Sequence, residues 1–215
     1  MANAITPKKI ELGEHKLGGI LAAPEAAKGL VIFAHGSGSS RFSPRNTFVA
    51  ETLQQRGFAT LLFDLLTERE ALDRRNVFDI SLLGERVAEA VAWANGQDET
   101  KDFPIGLFGA STGAAAALVA AADLPETVSA VVSRGGRPDL AGQALFRVKA
   151  PTLLIVGGHD YEVIDLNREA QAMMRCETRL AIVPGATHLF EEEGTLEQVV
   201  DLAGAWFAMH MAPAE

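Results

Sequence analysis

Short apolar runs alternate with amphipathic segments along most of the chain. Ile10 and Leu12, then Leu17, Ile20 and Leu21, flank Gly13-Glu14 and predict two short strands. Residues 29–34, 59–63, 105–108, 128–133, 152–156 and 178–183 are largely apolar runs of four to six residues, as expected of strands covered on both faces. Helical spacing fills the intervals. A helix of about a dozen residues opens at Pro44, with Phe48, Val49 and Leu53 inward and Gly57 closing it. Ile80, Leu83, Val87, Ala90, Val91 and Ala94 mark a longer helix ended by Asn95-Gly96. An alanine-rich helix is predicted over 112–122, another over about 163–174, and a last one over about 195–210 with Leu196, Val199, Ala203, Trp206 and Phe207 on one stripe. The charged stretch 64–76 reads as irregular, solvated loop. Strands alternating with helices predict an α/β fold, one domain over 1–215, whose mostly parallel sheet of about seven to eight strands carries helices on both faces. In such sheets ligands gather outside the carboxyl ends of the strands.

Composition narrows the picture only a little. A net charge of −9 argues against a nucleic-acid partner. The single cysteine, Cys176, excludes an internal disulfide and a cysteine-based zinc site, and no metal or other cofactor is expected. Residues 1–9 show no apolar core of a secretory leader, and no run approaches the ~20 apolar residues that span a bilayer. The expectation is a cytoplasmic protein without a membrane partner; oligomeric state is not legible.

The chemistry sits where the strands end. Residues 105–108 run into Gly109-Ala110-Ser111-Thr112-Gly113, and a helical segment follows at once. Gly-x-Ser-x-Gly between strand and helix is the context of a nucleophile elbow, in which Ser111 stands at the apex of a sharp turn. A serine hydroxyl needs a base. Of the five histidines, His188 follows the last predicted strand and is preferred over His15, His35, His159 and His210. The imidazole in turn needs a carboxylate. Asp160, in Gly157-Gly158-His159-Asp160 after the strand 152–156, is preferred over its neighbours Glu162 and Asp165, the latter's place at the start of the next helix having a structural explanation. An oxyanion needs donors. The Thr112 amide is one, and the loop His35-Gly36-Ser37-Gly38 supplies Ser37 or Gly36 as the other.

The set His35-Gly36, Gly109-x-Ser111-x-Gly113, Gly157-Gly158-x-Asp160 and Gly185-x-x-His188 resembles the α/β-hydrolase superfamily, and within it the small dienelactone-hydrolase-like branch, over about residues 10–210. The resemblance implies an eight-stranded sheet with its second strand antiparallel, and a triad of Ser111, Asp160 and His188. Dienelactone hydrolase itself uses a cysteine nucleophile where this chain has Ser111, which points to a serine esterase mechanism. Only residues 134–150 separate two strands where cap domains are usually inserted in the superfamily, so no large cap is expected.

Arg41 and Arg45 follow the oxyanion loop, and Arg134 and Arg137 follow another strand. Arg134, Arg137 and Arg41 are candidates for holding an acidic group of the substrate; salt bridges with neighbouring acids are the alternative. The function expected is a serine hydrolase that cleaves a small carboxylic ester or lactone through an acyl-enzyme. The same triad serves an acyltransferase or a peptidase, and a non-catalytic binding module of this fold is the remaining alternative.

Overall fold

The computed structural model of the chain describes residues 5–211, so the first four of the residues 1–9 read above lie outside the described ones. Eight strands form one sheet: β1 (Lys8–Leu12), β2 (Leu17–Ala22), β3 (Leu30–Ala34), β4 (Ala59–Phe63), β5 (Ile105–Ala110), β6 (Val128–Arg134), β7 (Thr152–Gly157) and β8 (Thr178–Val183). Their order across the sheet is β1-β2-β4-β3-β5-β6-β7-β8. β2 runs antiparallel to both neighbours, and every pair from β4 to β8 is parallel. This is the α/β-hydrolase arrangement that the resemblance implied. β3, β4, β5 and β7 are buried along their full length, which explains why their sequences run apolar without alternation.

The helices divide between the two faces. α4 (Ile80–Asn95) and α5 (Thr112–Asp123) bury one face with Leu83, Val87, Val91 and the alanines of α5. Their contact is close because neither side brings bulk to it: a Cβ on Gly84 would lie 2.6 Å from a Val119 methyl. α1 (Pro44–Gln55) and α7 (Thr195–His210) cover the other face with Val49, Leu53, Val199 and Phe207 against Phe33 and Phe108. α6 (Tyr161–Met173) packs beside β7 and β8, and between β6 and β7 the chain holds only a 3-10 segment, Pro138–Arg147, so there is no large cap.

One expectation is corrected. The charged stretch 64–76 is not irregular but carries two single-turn helices, α2 (Glu68–Ala71) and α3 (Arg74–Val77). Thr67 and Glu70 close a reciprocal capping box, and Glu70 also binds Arg86 of α4 at 2.8 Å. The segment is thus held by a cap and a tertiary ion pair, neither of which shows as periodicity. No helix among the described residues is long and apolar enough to cross a membrane.

Candidate active site

Ser111 lies between β5 and α5 with φ 51° and ψ −123°, a conformation that L side chains rarely adopt. The surrounding backbone holds it there. Its N–H donates to the Arg134 carbonyl at 3.3 Å, and its carbonyl accepts from the Ala114 and Arg137 amides, each at 3.1 Å. The two flanking glycines are needed for proximity. A Cβ on Gly109 would stand 2.4 Å from Ala114 Cα, and one on Gly113 would stand 2.2 Å from the Ala34 carbonyl oxygen. Such strain persists only where packing over-determines it, and it thrusts the hydroxyl out from the strand end.

The turns after β7 and β8 are pressed together by a third glycine. A Cβ on Gly157 would lie 2.5 Å from the carbonyl oxygens of both Ala186 and Thr187. The His159 amide donates to Ala186 at 2.9 Å, and the Gly158 amide to Val183 at 2.8 Å. This contact brings Asp160 to His188: Nδ1 of the imidazole is 2.6 Å from Asp160 Oδ2. With Nδ1–H donated to the carboxylate, Nε2 carries the lone pair. Thr187 and Glu192 close the loop below through two hydrogen bonds, at 3.1 and 2.6 Å, which hold the Glu192 carboxyl below its ordinary range.

Ser111 and His188 share one rim. The turn 134–137 bonds Ser111 on both sides, and a Cβ on Gly135 would lie 2.9 Å from the His188 carbonyl oxygen and 3.7 Å from its ring carbon Cε1. Among the described residues no hydrogen bond joins the Ser111 hydroxyl to the imidazole.

The loop after β3 approaches from the opposite side. A Cβ on Gly36 would sit 3.0 Å from Ser111 Cβ. Thr112 offers an amide in the first turn of α5, where helical partners are lacking. The Ser37 amide, by contrast, is donated to Thr112 Oγ1 at 2.9 Å in this conformation. His35 anchors the loop. Its Nδ1 donates to the Gly36 carbonyl at 3.0 Å and its Nε2 accepts the Leu65 amide at 3.1 Å. Burial pushes its pKa below 6.5 and keeps the ring neutral, as this acceptor role requires. The loop, with Leu65, Leu66, Ala71, Val77 and Leu83, encloses a cavity of about 240 Å³.

The other candidates part company here. Asp165 pairs with Arg168 on the surface. His15 is held by Glu89 and Arg86 and His210 stacks on Trp206, so neither is simply solvated. The Arg41 guanidinium is bound by Asp64 and lies over Gly18 of β2, away from the elbow. Arg137 is bidentate on Asp139, at 2.9 and 2.8 Å. Both guanidinium groups are held by a neighbouring carboxylate, whereas the Arg134 charge is buried with no carboxylate partner among the described residues. Arg45, whose Nε is likewise buried without a partner, stands near Arg134, a proximity its place in the first turn of α1 did not reveal.

Known proteins bear on this geometry. A family model described as the dienelactone hydrolase family matches residues 17–208. A dienelactone hydrolase from Anabaena variabilis superposes with a TM-score of 0.93 at 53% identity, over 98% of this chain and 100% of that one. A Mycobacterium tuberculosis protein called "Putative phosphoribosyl transferase" is 58% identical over 203 residues, 94% of this chain but 46% of its own length. The chain therefore spans about half of that curated relative. Est1E from Butyrivibrio proteoclasticus, at 18% identity and a TM-score of 0.78 over 95% of this chain and 98% of its own, shares the fold.

Proposed function

The chain belongs to the dienelactone hydrolase family, and from that premise we propose that it is a single-domain serine hydrolase acting on a small carboxylic ester or lactone. The observation that carries the reading is the 2.6 Å bond from His188 to Asp160 on the same rim as Ser111, whose backbone is strained into an elbow. Ser111 Oγ attacks the carbonyl carbon, and its proton passes to His188 Nε2. Asp160 holds the tautomer and stabilises the imidazolium. The Thr112 amide and the Gly36 amide of the loop after β3 are the oxyanion donors, the Ser37 amide being engaged by Thr112 Oγ1. The tetrahedral intermediate collapses, the alcohol leaves with the proton from His188, and the acyl group stays on Ser111. Water, deprotonated by the same imidazole, then releases the acid and restores the serine.

The cavity of about 240 Å³ beside the oxyanion loop favours a small acyl or alkyl group. The transferase name belongs to a relative of which this chain covers 46%, and the residues described here speak for acyl rather than ribosyl chemistry. A fluorophosphonate probe tests the reading. It is expected to label the wild-type protein at Ser111 and to leave Ser111→Ala unlabelled, with p-nitrophenyl acetate turnover lost in parallel. Turnover by Ser111→Ala at the wild-type rate would overturn the assignment. Added alcohol, trapped as a new ester, separates an acyltransferase from a hydrolase.

A further inference from the structure

One wall of the cavity beside the oxyanion loop is attached by polar bonds. Leu65 and Leu66, then Glu68, Ala71 and Val77 of the strap 67–79, line it together with Leu83 of α4. Neither α2 nor α3 contains a buried residue. Leu72 and Phe78 of the strap are 86% and 48% exposed. Apolar burial therefore adds little to the attachment, and a segment of that kind opens at low cost unless something else fastens it.

Both ends of the strap are fixed, by the Leu65 amide on His35 and by Asp79 capping α4. Between them the tie is one residue. Glu70 Oε2 accepts from the Thr67 amide and hydroxyl, each at 2.9 Å, and Oε1 accepts from Arg86 Nη2 at 2.8 Å. The Glu70 carbonyl accepts from the Asp73 amide at 3.1 Å and from the Asn76 side chain at 2.9 Å. The same residue thus closes α2, holds α3 and reaches α4. Arg86 suits the part of anchor. It is 6% exposed, and its Nη1 stands 2.7 Å from His15 Nδ1 and 3.4 Å from Glu89 Oε2. Gripped by the β1–β2 turn and by its own helix, it cannot follow the strap outward. Parting the pair would leave a buried guanidinium short of a carboxylate, so the charge-assisted bond resists opening.

We propose that Glu70, anchored on Arg86, is a specificity-determining residue: it fastens the strap 67–79 as a fixed wall of the cavity and so limits the acyl group to a short one. The limit on acyl length rests on the hydrolase reading; the fastening stands on the bonds of Glu70 alone. Glu70 touches no reacting atom and acts by positioning the wall. The second carboxylate on Arg86, Glu89, belongs to α4 and leaves the strap alone.

The test compares kcat/KM for p-nitrophenyl acetate and p-nitrophenyl octanoate in the full chain. The wild-type protein is expected to favour acetate. Glu70→Gln keeps a side chain that can close the capping box but removes the charge from Arg86. It is expected to raise the octanoate-to-acetate ratio about tenfold, and Arg86→Met to do the same. Glu89→Gln is expected to leave the ratio at the wild-type value. Glu70→Gln keeps the test valid if Arg86→Met does not fold. A ratio unchanged in Glu70→Gln, including equal losses on both esters, or a shift as large in Glu89→Gln, overturns the proposal. Amide hydrogen exchange across residues 67–79 needs no turnover, and it is expected to quicken in Glu70→Gln and not in Glu89→Gln. Failure of the wild-type protein to turn over any ester would sink the hydrolase reading, and exchange alone then decides the fastening: equal exchange in the two variants overturns it.

Discussion

The amide of Ser37 donates to the side-chain oxygen of Thr112 at 2.9 Å, joining the loop after β3 to the residue that follows the nucleophile. The bond ties two walls of the candidate site that are 75 positions apart in sequence. A neutral hydrogen bond of this kind contributes about 1 kcal/mol, and more is lost when one partner is left unpaired. Thr112→Val keeps the shape and removes the acceptor. It is expected to lower kcat about tenfold by loosening the oxyanion loop, whereas Thr112→Ser, which keeps the hydroxyl, stays near the wild-type value. Steady-state kinetics on p-nitrophenyl acetate distinguish the two, and equal losses would show that the hydroxyl is not the anchor.

Asp160→Asn leaves the loop backbone intact but offers His188 Nδ1 an amide in place of a carboxylate. The imidazole loses both its fixed tautomer and the charge that stabilises its protonated form. A fall in kcat of about 1,000- to 10,000-fold is expected with little change in melting temperature. The comparison of stopped-assay rates with circular dichroism melts checks it.

His35 links acidity to stability. Burial lowers its pKa from 6.5, so between that lowered value and 6.5 the unfolded chain binds a proton that the folded chain does not. Stability from this group is complete above about pH 6.5 and is lost as the pH falls toward the lowered value. Protonation also removes the acceptor for the Leu65 amide. Thermal melts between pH 5 and 7.5 are expected to show a steeper acid decline in the wild-type protein than in His35→Gln, whose side chain does not titrate.

Arg134 has the opposite consequence for stability. Burial first, and the nearby Arg45 charge second, push its pKa down to about 10, well below the ordinary guanidinium range. The folded chain holds this proton less tightly than the unfolded one, so the charge opposes folding at every pH below about 10, and the opposition fades as the pH rises beyond that toward the ordinary guanidinium range. Arg134→Met is therefore expected to raise stability at pH 7 by about 1–2 kcal/mol, net of the partner lost by Asn46. Urea denaturation measures it. A lower midpoint in urea would mean that the guanidinium is structural after all.

Most of the scaffold was readable from the chain because fully buried parallel strands leave unbroken apolar runs. The segment 59–63 matches the fully buried β4 residue for residue, and 178–183 matches β8 although that strand is only partly buried. The elbow was readable because a strained turn flanked by close backbone requires glycine at 109 and 113. What stayed hidden depends on partners distant in sequence. The two short helices of residues 68–77 are too brief to show a period and are fixed by Glu70 reaching Arg86 on another helix. Of the four arginines noticed at the active edge, sequence could not tell which were neutralised. Arg137 finds Asp139 two residues away, and Arg41 finds Asp64 across the sheet, whereas Arg134 finds no acid within ion-pair reach among the described residues. That difference lies in where carboxylates fall in space, and no local pattern encodes it.

The order of strands also separates two jobs. Ser111, Asp160 and His188 stand after β5, β7 and β8, while the cavity is walled by the segments after β3 and β4. The border runs between β3 and β5, where the sheet's numbering reverses direction. On the proposed reading the triad and the acyl cavity thus come from different stretches of chain, with the Gly36-Ser37 loop common to both. On the same reading, exchanging the span from 64 to 79 for that of another family member is expected to change which acyl groups enter and to leave Ser111, Asp160 and His188 in their own frame.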